Sequence, residues 1–389
     1  MELFDIVIIG AGSGGLSAAV YAARAKRSTL ILDRKRPGGQ AATTEKMENY
    51  PGFPGGIGGR ELMDRFRDQA KEMGTRFEQA EVVGFEEEDG NYVIRTRKGV
   101  HYGARSIILA PGSEPRKLGI PGEADYSGRG VSYCATCDAE LFEGGKVVVI
   151  GSGETAVEEA GYISRFADEV VMIVAHDEGI LTCNRTQAET ALANPKLSWK
   201  WNRSTLSIEG SETVEAVRVR NLKTNEEERI PCDGVFLFVG TVPQTAFLGG
   251  FVETLKGYIP TDDKMETDRH LVFAAGDVRV KNLRQVVTAA SDGAIAAYFA
   301  DRELTEMEDF AKAVQRAGEN YLLYFYSPSV QRSLDLVPAA ERKAEALGLP
   351  LIKLHALKFG NVAARYEVKG TPCLLRVEGE KKVETITEF

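Results

Sequence analysis

Cysteine and histidine are scarce in this sequence, five and four among 389 residues. So few cysteines exclude the dense disulfide framework of a small secreted domain. The histidines (101, 176, 270 and 355) fall in no ligand spacing, and Cys183, Cys232 and Cys373 stand alone. A zinc site with its usual ~4 ligands therefore has no candidate set, and no metal is expected. No apolar run approaches the ~20 residues of a membrane span. The opening Met-Glu-Leu-Phe-Asp lacks the basic-then-apolar layout of a signal peptide, so a cytoplasmic location is expected. A net charge of -9 argues against a nucleic-acid partner, which needs a basic face. Trp199 and Trp201, the two tryptophans, sit on an expected strand and read as packing. What remains is an ordinary globular composition, 43% apolar and 27% charged, in a chain long enough for two or three domains.

Residues 5–9, Asp-Ile-Val-Ile-Ile, read as a buried strand, followed by Gly10-Ala-Gly12-Ser13-Gly-Gly15. An alanine-rich helix to about Lys26 and a strand from Thr29 ending at Asp33 complete a βαβ unit. Gly10 makes the tight turn, Gly12 lets backbone approach a pyrophosphate, and Gly15 lets helix and strand pack closely. The helix N-terminus offers amides and positive potential to phosphate, and Asp33 is placed to accept from a ribose. A second unit has the strand Lys146–Ile150, the loop Gly151-Ser-Gly153-Glu154-Thr155-Ala156, a helix from Val157 to about Phe166, and the strand Glu169–Val174. Strand, loop, helix and strand together are a far stronger signal than the glycines alone.

Between the two loops lies Ser132-Tyr-Cys134-Ala-Thr-Cys137-Asp138. A Cys-x-x-Cys pair can hold metal, form a structural bridge or carry electrons. Without further ligands metal is the weakest reading, and a reducing compartment disfavours a lasting bridge. Two dinucleotide loops flanking the pair favour a redox dithiol fed by a flavin and a nicotinamide.

The sequence resembles the low-molecular-weight thioredoxin reductase family from residue 1 to about 305. The resemblance is carried by the first loop, Pro37-Gly-Gly-Gln40, Met47-Glu-Asn-Tyr-Pro-Gly-Phe, Ile108-Leu-Ala-Pro-Gly-Ser, Cys134-Ala-Thr-Cys137-Asp138, Phe238-Val-Gly-Thr-Val-Pro, and Phe273-Ala-Ala-Gly-Asp277 with Arg284-Gln285-Val286. It implies an α/β fold of two Rossmann-like domains. The FAD domain would comprise 1–116 and 243–308, with 117–242 an inserted NAD(P)H-type domain carrying the dithiol. FAD contacts would be Gly10, Gly12, Ser13, Gly15, Asp33, Gln40, Asn49, Gly276, Asp277, Arg284, Gln285 and Val286. Gly151, Gly153, Glu154, Thr155 and Ala156 would meet the nicotinamide cofactor. The resemblance further implies that electrons from reduced FAD reach the Cys134/Cys137 disulfide and then thioredoxin. Cys137 would face the flavin, Cys134 would attack the partner, and Asp138 would supply the proton. The inserted domain would swing on the joins Gly112-Ser-Glu-Pro-Arg and Gly240-Thr-Val-Pro-Gln. Relatives are homodimers.

One departure is clear. NADPH-using relatives carry arginines just after the second strand of the inserted domain, where this chain has His176-Asp177-Glu178. Two carboxylates there repel a 2′-phosphate, which argues against NADPH. Either NADH donates, with Asp177 or Glu178 accepting from the ribose diol, or a ferredoxin-like one-electron carrier reduces the flavin.

Residues 309–389 extend beyond the resemblance. They read as helix (309–318), strand (321–326), helix (about 330–347), strand (350–355), a short helix (361–366), Gly370-Thr-Pro372 and a hairpin. This order is similar to a thioredoxin-like domain with Pro372 as its cis-proline, yet Pro328-Ser-Val-Gln-Arg stands where the active cysteines belong. Twelve bases against ten acids give this tail +2 of the chain's -9, which leaves -11 elsewhere and suggests docking or dimer support. The alternative to an enzyme is a flavoprotein redox sensor or scaffold whose tail is an interaction module. Glu86-Glu-Glu-Asp-Gly and Asn225-Glu-Glu-Glu read as solvated hairpin turns.

Overall fold

Short apolar runs bounded by glycine turns make buried parallel strands, and the first such run sets the core of the chain. In the computed structural model, which describes residues 1–44, 47, 49–379 and 381–387, two units are separated, Met1–Ala296 and Ala297–Phe389. Glu48 of the expected Met47-to-Phe53 motif lies outside the described residues.

The first unit begins with β1 (Glu2–Ile9), α1 (Ser13–Arg24), β2 (Thr29–Asp33), α2 (Gly59–Glu72), β3 (Arg76–Gln79), β4 (Val82–Glu88), β5 (Asn91–Thr96) and β6 (His101–Leu109). It continues with β7 (Ser113–Pro115), β8 (Val131–Ser132), α3 (Ala135–Asp138), β9 (Lys146–Ile150), α4 (Glu154–Ile163), β10 (Glu169–Ile173), α5 (Arg185–Leu192) and β11 (Leu197–Lys200). Then come β12 (Arg203–Gly210), β13 (Val214–Asn221), β14 (Glu227–Pro231), β15 (Gly234–Leu237), β16 (Thr241–Pro243), β17 (Val272–Ala274) and the start of α6 (Val286–Ala317), whose residues from Ala297 belong to the second unit.

One sheet has the order β3-β2-β1-β6-β5-β4, with β17 also on β6. Strands β3, β2, β1, β6 and β17 run parallel, so their C-terminal ends share one edge, where open α/β sheets bind ligands. The second sheet, β11-β10-β9-β15-β8, is all parallel, and the meander β12-β13-β14 joins its core through Ile208, Val217 and Val219. Strands β7 and β16 pair antiparallel, Val242 opposite Glu114, so the two joins between the sheets lie side by side. Gly112 and Gly240 flank this ribbon at φ +74° and +100°, conformations that glycine adopts without strain. The expected charged turns are β-hairpin connections: Asp89-Gly90 joins β4 to β5, and residues 222–226 join β13 to β14.

The second unit has β18 (Asn320–Tyr326), α7 (Gln331–Asp335), α8 (Val337–Leu347), β19 (Leu351–His355), α9 (Gly360–Arg365), β20 (Cys373–Glu378) and β21 (Lys381–Ile386). Its sheet order is β19-β18-β20-β21, with β18 and β19 parallel and the rest antiparallel. Both faces are covered. Tyr321, Leu323 and Phe325 pack with Phe310, Val362 and Tyr366, while Leu322 and Tyr324 pack with Ala340 and Ala344. The Thr371–Pro372 peptide is cis. Two boundaries differ from expectation. No helix begins at 309, because α6 already runs through that point, and the expected helix over 330–347 is broken at Leu336, two residues before the Pro338 that sits in the first turn of α8. Among the described residues no helix is long and apolar enough to cross a membrane.

Candidate active site

The first loop is built as its glycines demand. Gly10 has φ +104° and its missing Cβ leaves room for the Ala110 carbonyl, while a Cβ on Gly15 would collide with the Gly10 carbonyl. Gly12 faces open space, with only the Gly39 Cα at 3.9 Å from a built Cβ, so the loop keeps a cradle that a side chain would fill. Asp33 holds the loop itself: its carboxylate accepts from the Ala11 N–H at 2.6 Å and the Lys35 N–H at 2.8 Å.

The other expected FAD residues gather at the same sheet edge. Gln40 donates to the Ser113 carbonyl at 2.7 Å. Arg284 donates to the Asp277 and Arg279 carbonyls and lies over the Tyr258 ring. Gly276 donates its N–H to Asp292, and Val286 begins α6. Asp277 is the most telling. Its Oδ1 is buried without a hydrogen-bond partner, and burial pushes its carboxyl up, against the pull of Lys281 and Arg284. A buried carboxylate oxygen without a partner, near a glycine cradle, fits FAD, whose ribityl hydroxyls can donate to Asp277 and whose phosphates can accept from the loop's backbone N–H groups. Sequence reasoning missed what holds this turn. Asp292, 7% exposed, accepts from Arg279 at 2.9 Å and Lys281 at 2.7 Å. The available signal was a lone acid in the alanine-rich run Ala289-Ala-Ser-Asp-Gly-Ala.

Cys134, the N-cap of α3, and Cys137, within it, are joined in a disulfide, both half-buried. Ser132, at the end of β8, accepts from the Cys134 N–H at 3.1 Å and donates to the Asp138 carboxylate at 2.5 Å. The Thr136 hydroxyl lies 3.5 Å from Cys134 Sγ and accepts from Gln285 at 2.9 Å, and Gln285 accepts from Asn49 at 3.2 Å. Gln285, expected at FAD, thus reaches the dithiol segment, with Asn49 bound behind it. Tyr133 donates to the buried Glu123, and burial raises its pKa. The remaining cysteines are poor nucleophiles: burial raises all three thiols, Cys183, Cys373 and Cys232, the last to about 12.

The second loop lines a cleft of about 700 Å³ through Gly151, Gly153, Glu154, Thr155 and Ala156. Gly151 has φ +142°, and a Cβ there would sit 2.5 Å from the Phe238 carbonyl and 2.9 Å from the Ala156 methyl. Gly153 faces open space, the Thr182 hydroxyl being 3.8 Å from a built Cβ. α4 starts at Glu154, three residues before the expected Val157, because Gly153 rather than the glutamate takes the extended cap position. At the tip of β10, Asp177 is bound by Lys223, which holds its carboxyl below the usual range, and Glu178 is exposed. A cation that sequence reading did not place there also lines the cleft. Arg203 is anchored by its N–H to the Val174 carbonyl, its Nε lies 3.8 Å from Glu228, and its Nη1 donates to Trp201. Trp199 and Trp201 stack at 5.0 Å against the core of the second sheet, as expected for packing. Glu159, on α4, has a buried Oε2 without a partner, and burial, with Glu158 adding, pushes its carboxyl up to about 7.

In the second unit Ser327 and Ser329 share a hydrogen bond at 2.8 Å where the active cysteines were sought, and Cys373 is half-buried at the start of β20.

The chain is similar to known proteins over this first unit. The profile of the pyridine nucleotide-disulphide oxidoreductase family matches residues 4–293. A thioredoxin reductase of Treponema pallidum is 44% identical over 297 residues, 76% of this chain and 96% of that protein. The Bacillus subtilis thioredoxin reductase is 40% identical over 317 residues, covering 81% and 99%. The crystal structure of the Streptococcus pyogenes thioredoxin reductase matches with a TM-score of 0.73 at 36% identity, over 78% of this chain and 98% of that one. The chain belongs to the pyridine nucleotide-disulphide oxidoreductases, within their low-molecular-weight thioredoxin reductase family.

Proposed function

We propose that this protein is an FAD-dependent disulfide reductase that reduces a thioredoxin-type partner through Cys134 and Cys137. The observation that carries the reading is the disulfide itself, set between two glycine-loop sheets and hydrogen-bonded through Thr136 to Gln285 at the FAD edge. FAD, when bound, would accept electrons from the donor and pass them to the disulfide, a step that the side chains alone do not offer. The chain's own residues do the rest. Gly10, Gly12, Ser13 and Gly15 present backbone to the pyrophosphate, and Asp277 waits for the ribityl hydroxyls. Cys134 attacks the partner disulfide, Cys137 resolves the mixed disulfide, and Asp138, steadied by Ser132, hands a proton to the leaving thiolate.

The domains follow the same reading. Residues 1–116 with 243–308 hold FAD, 117–242 form the inserted nucleotide-type domain, and 309–389 form a thioredoxin-like domain without its cysteine pair. The sheet order and helix cover of the second unit, and its Ser327-Pro-Ser329 segment, support that last assignment. The paired joins with Gly112 and Gly240 suit a pivot between a flavin-facing and a partner-facing pose.

For the donor we propose NADH. Support comes from the open cleft at Gly151–Ala156 and from carboxylates, not arginines, after β10. Because Lys223 occupies Asp177, Glu178 is the freer acceptor for a ribose diol. A ferredoxin-like carrier is the second reading, favoured by Val174 and Ala175, rather than an acid, directly after the last residue of β10. Anaerobic mixing of oxidised holoprotein with NADH, NADPH or reduced ferredoxin separates them by flavin bleaching. NADH bleaching at micromolar concentration supports the reading, and bleaching by NADPH alone overturns it.

A further inference from the structure

The hydrogen bonds around Thr136 have a direction that can be deduced from one end. Cys134 Sγ is in a disulfide and carries no hydrogen, so in the 3.5 Å contact the Thr136 hydroxyl must donate and the sulfur accept. A hydroxyl has one hydrogen, which leaves its oxygen as acceptor for Gln285, 2.9 Å away. Gln285 therefore presents its NH2 to Thr136 and its carbonyl to Asn49, which donates at 3.2 Å. The chain Asn49 → Gln285 → Thr136 → Cys134 points every donor toward one sulfur, and such chains strengthen each member.

We propose that the Thr136 hydroxyl is a catalytic residue that stabilises the Cys134 thiolate, with Gln285 and Asn49 as residues that position it in the flavin-facing pose. Reduction breaks the Sγ–Sγ bond. An external dithiol gives two electrons and closes to its own disulfide. One of its protons stays on the segment and the other leaves to solvent, so one thiol and one thiolate remain. The donor array assigns the charge to Cys134, where the hydrogen bond becomes charge-assisted. The titratable groups on the segment and on elements packed against it are Cys137, Asp138 and Glu140 near α3, Tyr133 with Glu123, Glu154, Glu158 and Glu159 on α4, and Arg284 beside Gln285. The carboxylates among them oppose a thiolate, so the hydroxyl works against their field.

This inference rests on the reading that Cys134 is the attacking sulfur, but its test needs no partner. The holoprotein is reduced with dithiothreitol and alkylated with iodoacetamide from pH 5 to 10, and Cys134 and Cys137 are quantified separately by peptide mass. Thr136→Val and Thr136→Ala should raise the Cys134 midpoint by about one pH unit and slow its alkylation at pH 7 several-fold. Thr136→Ser should restore the parent profile, and Gln285→Met should shift Cys134 in the same direction by less. An unchanged Cys134 profile in both Thr136→Val and Thr136→Ala overturns the proposal, as does a serine variant as slow as the valine. An unchanged Gln285→Met removes the positioning role of Gln285. Failure of thioredoxin turnover with this profile intact would overturn the proposed function and leave this assignment standing.

Discussion

Ser132 donates its hydroxyl to the Asp138 carboxylate at 2.5 Å, bridging the two ends of the segment that holds both disulfide sulfurs. The bond fixes Asp138 beside the dithiol. If Asp138 supplies the proton to the leaving thiolate, Asp138→Asn lowers thioredoxin turnover by about 100-fold or more, the usual contribution of a positioned acid. Ser132→Ala loses only orientation and falls several-fold. Flavin content, read from the absorbance spectrum, stays at the parent value in both.

Glu159 predicts a pH dependence of stability. Its carboxyl is raised from 4.5 to about 7, first by burial and then by Glu158. A raised carboxyl stabilises the fold only while protonated: the contribution is whole below about pH 4.5 and is lost as pH climbs through about 7. Glu159→Gln keeps the neutral shape and should be more stable than the parent at pH 8, by on the order of 3 kcal/mol. Thermal midpoints of the two proteins should converge toward pH 4.

Asp277 should show opposite effects with and without cofactor. Burial raises its carboxyl, so in flavin-free protein its contribution to stability is present at acid pH and lost as pH rises. Asp277→Asn therefore raises the thermal midpoint of the flavin-free protein at pH 7 and leaves it unchanged at pH 3. FAD affinity, measured by fluorescence quenching on reconstitution, should fall about 10- to 100-fold with loss of a charged acceptor. A variant that binds FAD as tightly as the parent contradicts the assignment.

The two glycines of the second loop should behave differently. Gly151→Ala meets the Phe238 carbonyl at 2.5 Å and strains a positive φ, so it lowers soluble expression and thermal midpoint. Gly153→Ala meets nothing closer than 3.8 Å and should fold normally. Its methyl fills the approach to the loop, so KM for NADH should rise at least tenfold while reduction of the flavin by dithionite is unchanged.

Local signals made much of this legible in the sequence. Strand, glycine loop and helix are fixed by neighbouring residues, which is why β9 begins and ends where the apolar run does and why both charged hairpins turn where the acids cluster. The cis-proline of the second unit was likewise written in a short segment, Gly370-Thr-Pro372. Boundaries set by continuity were not. Residues 286–317 contain no proline and a single glycine, so nothing ends the helix near 309. Side-chain partners distant in sequence were also invisible. Lys223 reaches Asp177, Arg203 reaches the cleft, and Gln285 reaches Thr136 only because sheets and loops bring them together.

The central claim is that two electrons leave the protein through Cys134 and Cys137. Steady-state reduction of a thioredoxin disulfide by the parent, Cys134→Ser and Cys137→Ser, each with its flavin content measured, tests it most directly. The account predicts full flavin occupancy in all three and turnover in the parent alone. Normal turnover by either serine variant would contradict it.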